Sequence, residues 1–358
     1  MMQPETPGQP GGQLRYSLAM RTHRTLFPAL WLTVSLLWVG SLVGAAQAPG
    51  PRPPMPPAAT ASTTGTTPAQ DTRYVCPMHP DVIEAAPGAC PRCGMTLVPG
   101  NPLGTANYHL HVETVPGVVK AGQPTTFRFH VEDPVSHTPV TDYAVVHDMP
   151  YHVFVLSRDT SVFMHEHPVR QPDGVFALTV TLPKPGHYVL ISDFFPVGGS
   201  GQVLLTPIVT AGFDGDVQSQ VPTLALDTSW TKREGGVIAE LRTSPTALVA
   251  SEDLDLPLHF VDEATGQPVR DLQRYLGAFG HALIVNEELT EYIHAHPEET
   301  LEGTDIQDGG GPDVTFHTLF PKAGRYKVWI QFKRAGKLST VSLTFRVLRQ
   351  GETITGGQ

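Results

Sequence analysis

The chain has 358 residues, more than one typical domain needs, and a formal net charge of −10. Its 24 lysines and arginines form no basic run, which argues against nucleic-acid binding, because phosphate contacts need a basic face. Sixteen histidines are many beside those 24 cations, and histidine is a common metal ligand. Metal binding is therefore the function to look for along the chain.

Residues 1–46 have the pattern of an export signal. Arg15, Arg21 and Arg24 precede an apolar run at 26–46 that ends in small residues suited to cleavage near Ala46. The run is also long enough to span a bilayer if it is retained. We expect either a cleaved signal peptide or a membrane anchor at 26–46, with the rest of the chain exported to the periplasm or cell envelope. Membrane contact is expected only through this segment.

Residues 47–72 are rich in proline, threonine and alanine and hold almost nothing that could build a core. This composition predicts an extended linker. Such a tether would let the segment that follows it act as a mobile metal donor, because tethering raises its local concentration.

All three cysteines lie in the next segment, 73–100, within YVCPMHPDVIEAAPGACPRCGMTLVPG. Three cysteines cannot all pair within one chain, so metal ligation is favoured over disulfides. Cys90 and Cys93 form a C-x-x-C knuckle in which Gly94 permits a tight turn. Thiolates bind soft or borderline metals, and thioethers favour Cu(I). The predicted ligands of this metal-binding module are Cys76, Met78, His79, Cys90, Cys93 and Met95.

This motif resembles the small heavy-metal-binding domain attached to copper-transporting P-type ATPases and to periplasmic copper/silver efflux adaptors. The resemblance covers residues 74–100 and implies that copper or a similar heavy metal is bound there. Its motif residues are Tyr74, Cys76, Pro77, Met78, His79, Cys90, Cys93, Gly94 and Met95. A structural zinc site remains open, because so short a segment cannot fold on an apolar core alone. That zinc site would use the three cysteines, with or without His79.

From residue 105 onward, short β-branched and aromatic runs alternate with glycine and proline turns, and the chain repeats itself. YHVFVLSRDTSVFMHEHP, from Tyr151, aligns without gaps to GHALIVNEELTEYIHAHP, from Gly280. The prediction is a mainly β fold in which the small metal-binding knuckle precedes two tandem immunoglobulin-like antiparallel β-sandwiches, at 105–213 and 222–350. The strand pattern and the H-x-H-P hairpin also resemble small immunoglobulin-like copper-resistance and YtkA-type envelope domains.

The repeated hairpin predicts a cluster of imidazoles in each copy. If Ser157 pairs with Val162, then His152 faces His167 directly, and His165 lies diagonally on the same face. Three histidines fit Zn(II) or Cu(II), and Met149 could shift the first copy toward Cu(I). Alternatively, each imidazole is half-buried and hydrogen-bonded to the backbone at a strand end. His130 and His259 are expected to be structural. The candidate ligands are His152, His165 and His167 in copy 1, and His281, His294 and His296 in copy 2.

The resulting hypothesis is an exported heavy-metal-binding protein. The expected metal is copper, and the alternative metal is zinc. It would capture, buffer or hand over the ion, and the expected recipient is a metal efflux system or a cupro-enzyme. The competing hypothesis is a cell-surface interaction or structural protein with a structural zinc knuckle. An enzyme is not expected, because the chain has no H-E-x-x-H or G-x-S-x-G motif and parity places Glu166 away from the histidines.

Overall fold

A computed structural model describes residues 72–79, 81–104, 106–216, 223–297 and 309–353. The predicted export segment at 1–46 and nearly all of the linker at 47–72 lie outside these residues. Among the described residues, no helix is long and apolar enough to cross a membrane. The regular structure in this part of the chain is β-strand, apart from one 3₁₀ turn at Pro245–Ala247.

The module begins with a small three-stranded antiparallel sheet. Its strands are β1 (Arg73–Val75), β2 (Ile83–Glu84) and β3 (Val98–Gly100), in the order β2-β1-β3. The apolar core beneath this sheet consists of only four buried residues: Cys76, Val82, Cys90 and Leu97. Two of the four are cysteines, so the module has very little hydrophobic stabilisation of its own.

The first sandwich contains two four-stranded antiparallel sheets. Its strands are β4 (His109–Val115), β5 (Pro124–Glu132), β6 (Tyr151–Ser157), β7 (Phe163–Glu166), β8 (Val169–Arg170), β9 (Phe176–Thr181), β10 (His187–Phe194) and β11 (Gln202–Val209). The orders are β4-β5-β9-β8 and β11-β10-β6-β7. Alternate residues of β5, such as Phe127 and Phe129, point into the core between the sheets.

The second sandwich repeats this architecture. Its strands are β12 (Thr231–Glu234), β13 (Val237–Leu241), β14 (Asp253–Asp262), β15 (Leu272–Gln273), β16 (His281–Asn286), β17 (Tyr292–Ala295), β18 (Asp313–Leu319), β19 (Gly324–Arg334) and β20 (Lys337–Val347). One sheet has the order β12-β13-β14-β18; the other has the order β15-β19-β16-β17, with β20 also pairing β19. The predicted mainly β fold with two tandem copies is confirmed.

The two sandwiches pack against each other through β6 and β16. Every residue of both strands is buried, so each strand is covered on both faces. Val153 and Val155 belong to the core of the first sandwich, whereas Phe154 and Leu156 contact the second. The shared apolar cluster is completed by Val189, Ile191, Leu283, Val285, Leu289 and Trp329. The Phe163 and Trp329 rings stack across this boundary at 5.1 Å.

The module packs against the first sandwich. Val75 and Val98 form a buried cluster with Ala144 and Phe195. A Cβ atom at Gly100 would lie 2.6 Å from the Val75 side chain and 3.0 Å from Phe195, so this close approach requires glycine. The module therefore packs on the first sandwich, whereas the tether on which the expected mobile donor depends lies outside the described residues.

Candidate metal centres

The module brings its three cysteines and one histidine together. All three cysteines are free, and the ligand atoms of Cys76, His79, Cys90 and Cys93 lie within 4.8 Å of one another. The Cys76 and Cys93 sulfurs are 3.7 Å apart, and His79 Nδ1 is 3.6 Å from Cys76 Sγ. In a tetrahedral site with metal–sulfur bonds of 2.3 Å, neighbouring sulfurs are separated by roughly 3.8 Å. The donor set therefore fits a single tetrahedral ion.

The local backbone explains this convergence. Gly94 adopts a φ of 70°, and its amide donates to the Cys90 carbonyl at 2.8 Å, which closes the knuckle around the two cysteines. A hydrogen bond from the Cys93 thiol lowers the pKa of Cys76 to about 5. The lowered pKa favours the thiolate, which is the form that binds metal.

The two methionines flank this cluster. Met78 packs beside Cys93 at the edge of the small module core, and both Met78 and Met95 line a cleft with a volume of about 1060 Å³. The opposite wall of the cleft comes from the sandwiches, and includes His147, His296 and His317. The rings of His79 and His317 are 6.2 Å apart. The module and these sandwich histidines therefore line the same cleft.

The hairpins of both sandwiches have the predicted register. Phe154 pairs with His165 in β6 and β7, and the Ser157 amide donates to the Val162 carbonyl. In the second copy, Leu283 pairs with His294. Each hairpin thus brings three imidazoles together, with all ligand nitrogens of a triad within 4.8 Å: His152, His165 and His167 form the first triad, and His281, His294 and His296 form the second.

Each triad includes one histidine that is oriented by a backbone carbonyl. His152 Nε2 lies 2.9 Å from the Val146 oxygen, and His281 Nε2 lies 2.6 Å from the Tyr275 oxygen. Within the triads, His152 Nδ1 is 3.2 Å from His165 Nε2, and His281 Nδ1 is 2.7 Å from His296 Nε2. The expected imidazole–backbone hydrogen bond is therefore present at Nε2 of His152 and of His281. The Nδ1 atom of each ring points into its triad.

Burial keeps these imidazoles neutral at physiological pH. Desolvation lowers the pKa of His165 to about 2, that of His281 to about 3 and that of His167 to about 4. It also holds the pKa values of His294 and His296 well below the ordinary value. A neutral imidazole offers a lone pair, so protons do not compete with a metal ion at these rings near pH 7.

Three residues that contact the triad histidines were not predicted from the sequence. The ring of His147 stacks on that of His296 at 3.3 Å, where the triads meet the cleft. Asp193 Oδ2 accepts a hydrogen bond from His294 Nδ1 at 2.9 Å, and Gln331 Oε1 accepts one from His165 Nδ1 at 2.8 Å. Burial raises the pKa of Asp193 to about 7.

The other sequence expectations concern residues outside the triads. His130 and His259 lie on outer sheet faces, beside Glu113 and Asp313 respectively. Glu166 pairs with Val153, on the strand face opposite His165, as parity requires. Met149 is half-buried in the turn that it forms with Val146.

Family models match both the sandwiches and the cysteine module. A model for a domain of unknown function, DUF8832, matches residues 105–211 and 233–349. The chain belongs to the DUF8832 family. A second model, the heavy metal binding domain, matches residues 73–99. The chain therefore joins a heavy-metal-binding domain to two DUF8832 domains, and the predicted resemblance of residues 74–100 is confirmed.

One relative supports the same assignment of the module. A copper-transporting P-type ATPase from Rhizobium leguminosarum bv. viciae is 61% identical in the module segment, over 28 residues. This match covers 8% of the present chain and 3% of the ATPase. The chain thus spans only a small part of that relative's length.

Two solved structures similar to this chain differ widely in length. A Salmonella alpha-2-macroglobulin mutant is 11% identical, with 68% of this chain and 16% of that chain covered and a TM-score of 0.22. A segment of two fibronectin type-III domains from chicken tenascin is 11% identical, with 68% and 100% covered and a TM-score of 0.19. The predicted immunoglobulin-like resemblance is only weakly supported.

Proposed function

We propose that this protein captures and buffers copper in the cell envelope, and hands it on without catalysing a reaction. The observation that carries the proposal is the Cys76, His79, Cys90 and Cys93 cluster, which has tetrahedral spacing and includes a thiol of lowered pKa. The soft ligand set favours a soft ion, and Met78 and Met95 beside it favour Cu(I) over Zn(II). The copper-transporting ATPase that shares this segment supports the same choice.

The shared cleft supports a role in handover. Cys93 and Met95 lie on one wall, and His147 and His296 lie on the other. An ion released from the sulfur ligands would meet imidazole ligands before it reached bulk solvent. Transfer by ligand exchange needs no change in oxidation state if the ion stays Cu(I) throughout. The recipient beyond this chain would be an efflux system or a cupro-enzyme of the envelope.

The export pattern at the N-terminus supports an envelope location, because it includes three arginines and a long apolar run. A cell fractionation of the tagged chain tests this part separately. Recovery in the periplasmic or membrane fraction is expected. Recovery only in the cytoplasm would contradict the proposed location while leaving metal binding intact.

The central experiment is a Cu(I) titration of residues 71–358 against a competing chelator, with the thiol-dependent equivalents counted. One tight equivalent that is lost in Cys90→Ser is expected, because that substitution removes one of three sulfurs. Thr96→Ser, at an exposed position of the same module, is the matched control and should retain the equivalent. Tight binding of Zn(II) with no thiol-dependent Cu(I) binding would instead favour the cell-surface protein with a structural zinc knuckle.

A further inference from the structure

The hydrogen bonds of two histidines fix which of their nitrogens is available for a metal. His152 Nε2 and His281 Nε2 each face a backbone carbonyl, and a carbonyl can only accept. Both neutral rings must therefore carry their proton on Nε2. The lone pair of each ring then lies on Nδ1, the nitrogen that points into its triad.

Two further histidines are oriented from the opposite sandwich. His165 Nδ1 donates to Gln331 Oε1, and His294 Nδ1 donates to Asp193 Oδ2. Their lone pairs are therefore on Nε2. Metal-bound histidines usually donate their second nitrogen to a carboxylate or carbonyl, which fixes the ring and strengthens the ligand. Each triad thus obtains one such orienting partner from the other domain.

Among these nitrogens, only His281 Nδ1 has a donor within reach in the described part of the chain, which is His296 Nε2 at 2.7 Å. His294 Nε2, His167 Nε2 and His296 Nδ1 are buried with no hydrogen-bond partner among the described residues. In the first triad, His152 Nδ1 and His165 Nε2 present lone pairs to each other at 3.2 Å. Neighbouring nitrogens of a tetrahedral ion, at bonds of 2.0 Å, are separated by roughly 3.3 Å. Two lone pairs at this distance repel each other, and a cation bound by both nitrogens would remove the repulsion.

The two triads are not separate in space. Across the domain boundary, the His152 and His294 rings are 5.2 Å apart, and the His165 and His281 rings are 5.8 Å apart. Within the triads, the His152 and His165 rings are 5.5 Å apart, and the His281 and His294 rings are 5.9 Å apart. Histidines of different domains are thus as close as histidines of one triad.

We propose that the two triads form a single dinuclear metal centre, assembled between the two DUF8832 domains and entered from the cleft past His147. Each triad holds one first-row transition ion of the copper or zinc type, which are the ions that imidazole ligands suit. Asp193 offsets part of the buried positive charge. Neither domain alone contains a complete site, because the orienting partners Gln331 and Asp193 belong to the opposite domain. The residues of this centre are distinct from those of the cysteine module.

Cu(II) is the probe for the experiment, because two paramagnetic ions this close interact measurably. The full chain is first given one equivalent of Ag(I), which prefers thiolates and so occupies the module. Electron paramagnetic resonance spectra are then recorded in frozen solution after one and two equivalents of Cu(II). A second preparation, Cys90→Ser with Cys93→Ser, repeats the measurement without silver.

With two equivalents of Cu(II) we expect a half-field transition in the spectrum. We also expect the intensity of the ordinary Cu(II) signal per copper to be at least twofold lower than with one equivalent. His294→Gln should abolish the half-field line and leave one magnetically isolated copper. His259→Gln is the matched control, on an outer sheet face beside Asp313, and should behave as the unmodified chain. Two bound coppers with undiminished signal and no half-field line would overturn the dinuclear centre, as would failure to bind a second equivalent. The thiol-dependent Cu(I) titration decides the proposed function separately.

Discussion

Asp193 of the first sandwich accepts a hydrogen bond from His294 of the second, at 2.9 Å. The reciprocal bond runs from His165 of the first sandwich to Gln331 of the second. Asp193 is also the strand neighbour of His152, as Gln331 is of His281. The two sandwiches therefore exchange the groups that orient their imidazoles, and this exchange lies at the proposed dinuclear centre.

Asp193→Asn should weaken divalent metal binding at the second triad by roughly 10–100-fold, the usual effect of losing an outer hydrogen-bond partner of a metal-bound histidine. The substitution keeps the size of the side chain but removes its charge. Zn(II) affinity measured by chelator competition tests this, with Asp173→Asn, an exposed partner of Arg128, as the control. Equal affinities of the two variants would mean that Asp193 does not support the site.

Removal of metal should unfold the module while leaving the sandwiches intact. The module core has only four buried residues, two of which are cysteine ligands. Amide hydrogen exchange after chelation should therefore accelerate in residues 73–99 and remain slow in β6 and β16, which lie in the large buried clusters. Slow exchange in the module of the chelated protein would show that the packing of Val75 and Val98 on Phe195 is sufficient to hold it.

Trp329→Ala should destabilise the pair of sandwiches by about 3–5 kcal/mol, because it removes a large buried ring from their boundary. Urea unfolding followed by circular dichroism measures the change. Leu338→Ala, at an exposed strand position, should cost less than about 0.5 kcal/mol. The boundary would be energetically unimportant if the two variants unfolded at the same urea concentration.

The metal-free chain should lose stability as the pH falls from about 6.5 toward 4. The folded-state pKa values of His165, His281 and His167 lie below the unfolded value near 6.5, so only the unfolded state takes up protons in this range. Each such histidine contributes up to about 1.4 kcal/mol per pH unit.

Thermal unfolding at a series of pH values checks this expectation. His165→Gln should show a shallower loss than the unmodified chain, because it removes one of the depressed groups. Identical pH profiles of the two proteins would contradict neutral burial of His165 in the folded state.

Much of the individual hairpin could be predicted from the sequence, because alternation along a strand and a short turn fix which side chains share a face. This was sufficient to group His152 with His165 and His167. The cysteine spacing was likewise sufficient to predict the module. The packing of one copy against the other was harder to predict, because a repeat reveals equivalence but not contact. A signal was present in YHVFVLS, where Phe154 and Leu156 add apolar residues to the face opposite Val153 and Val155.

The missed residues have different explanations. His147 aligns with Leu276, so a search for repeated histidines passes over it, although both residues share a φ of 52°. Asp193 and Gln331 interrupt otherwise apolar runs at equivalent positions of β10 and β19. A polar residue beside a histidine on a buried strand was the available clue. Its partner could not be predicted, because that partner lies on the other sandwich.

The exchange of hydrogen bonds between Asp193 and His294, and between Gln331 and His165, has the form of an isologous contact, in which the same patch of each copy meets its counterpart. The tandem chain is in this respect a homodimer joined by a peptide linker. A related chain with a single copy would therefore have to associate in pairs about a two-fold axis to build the same histidine centre, and its metal affinity would then depend on its own concentration.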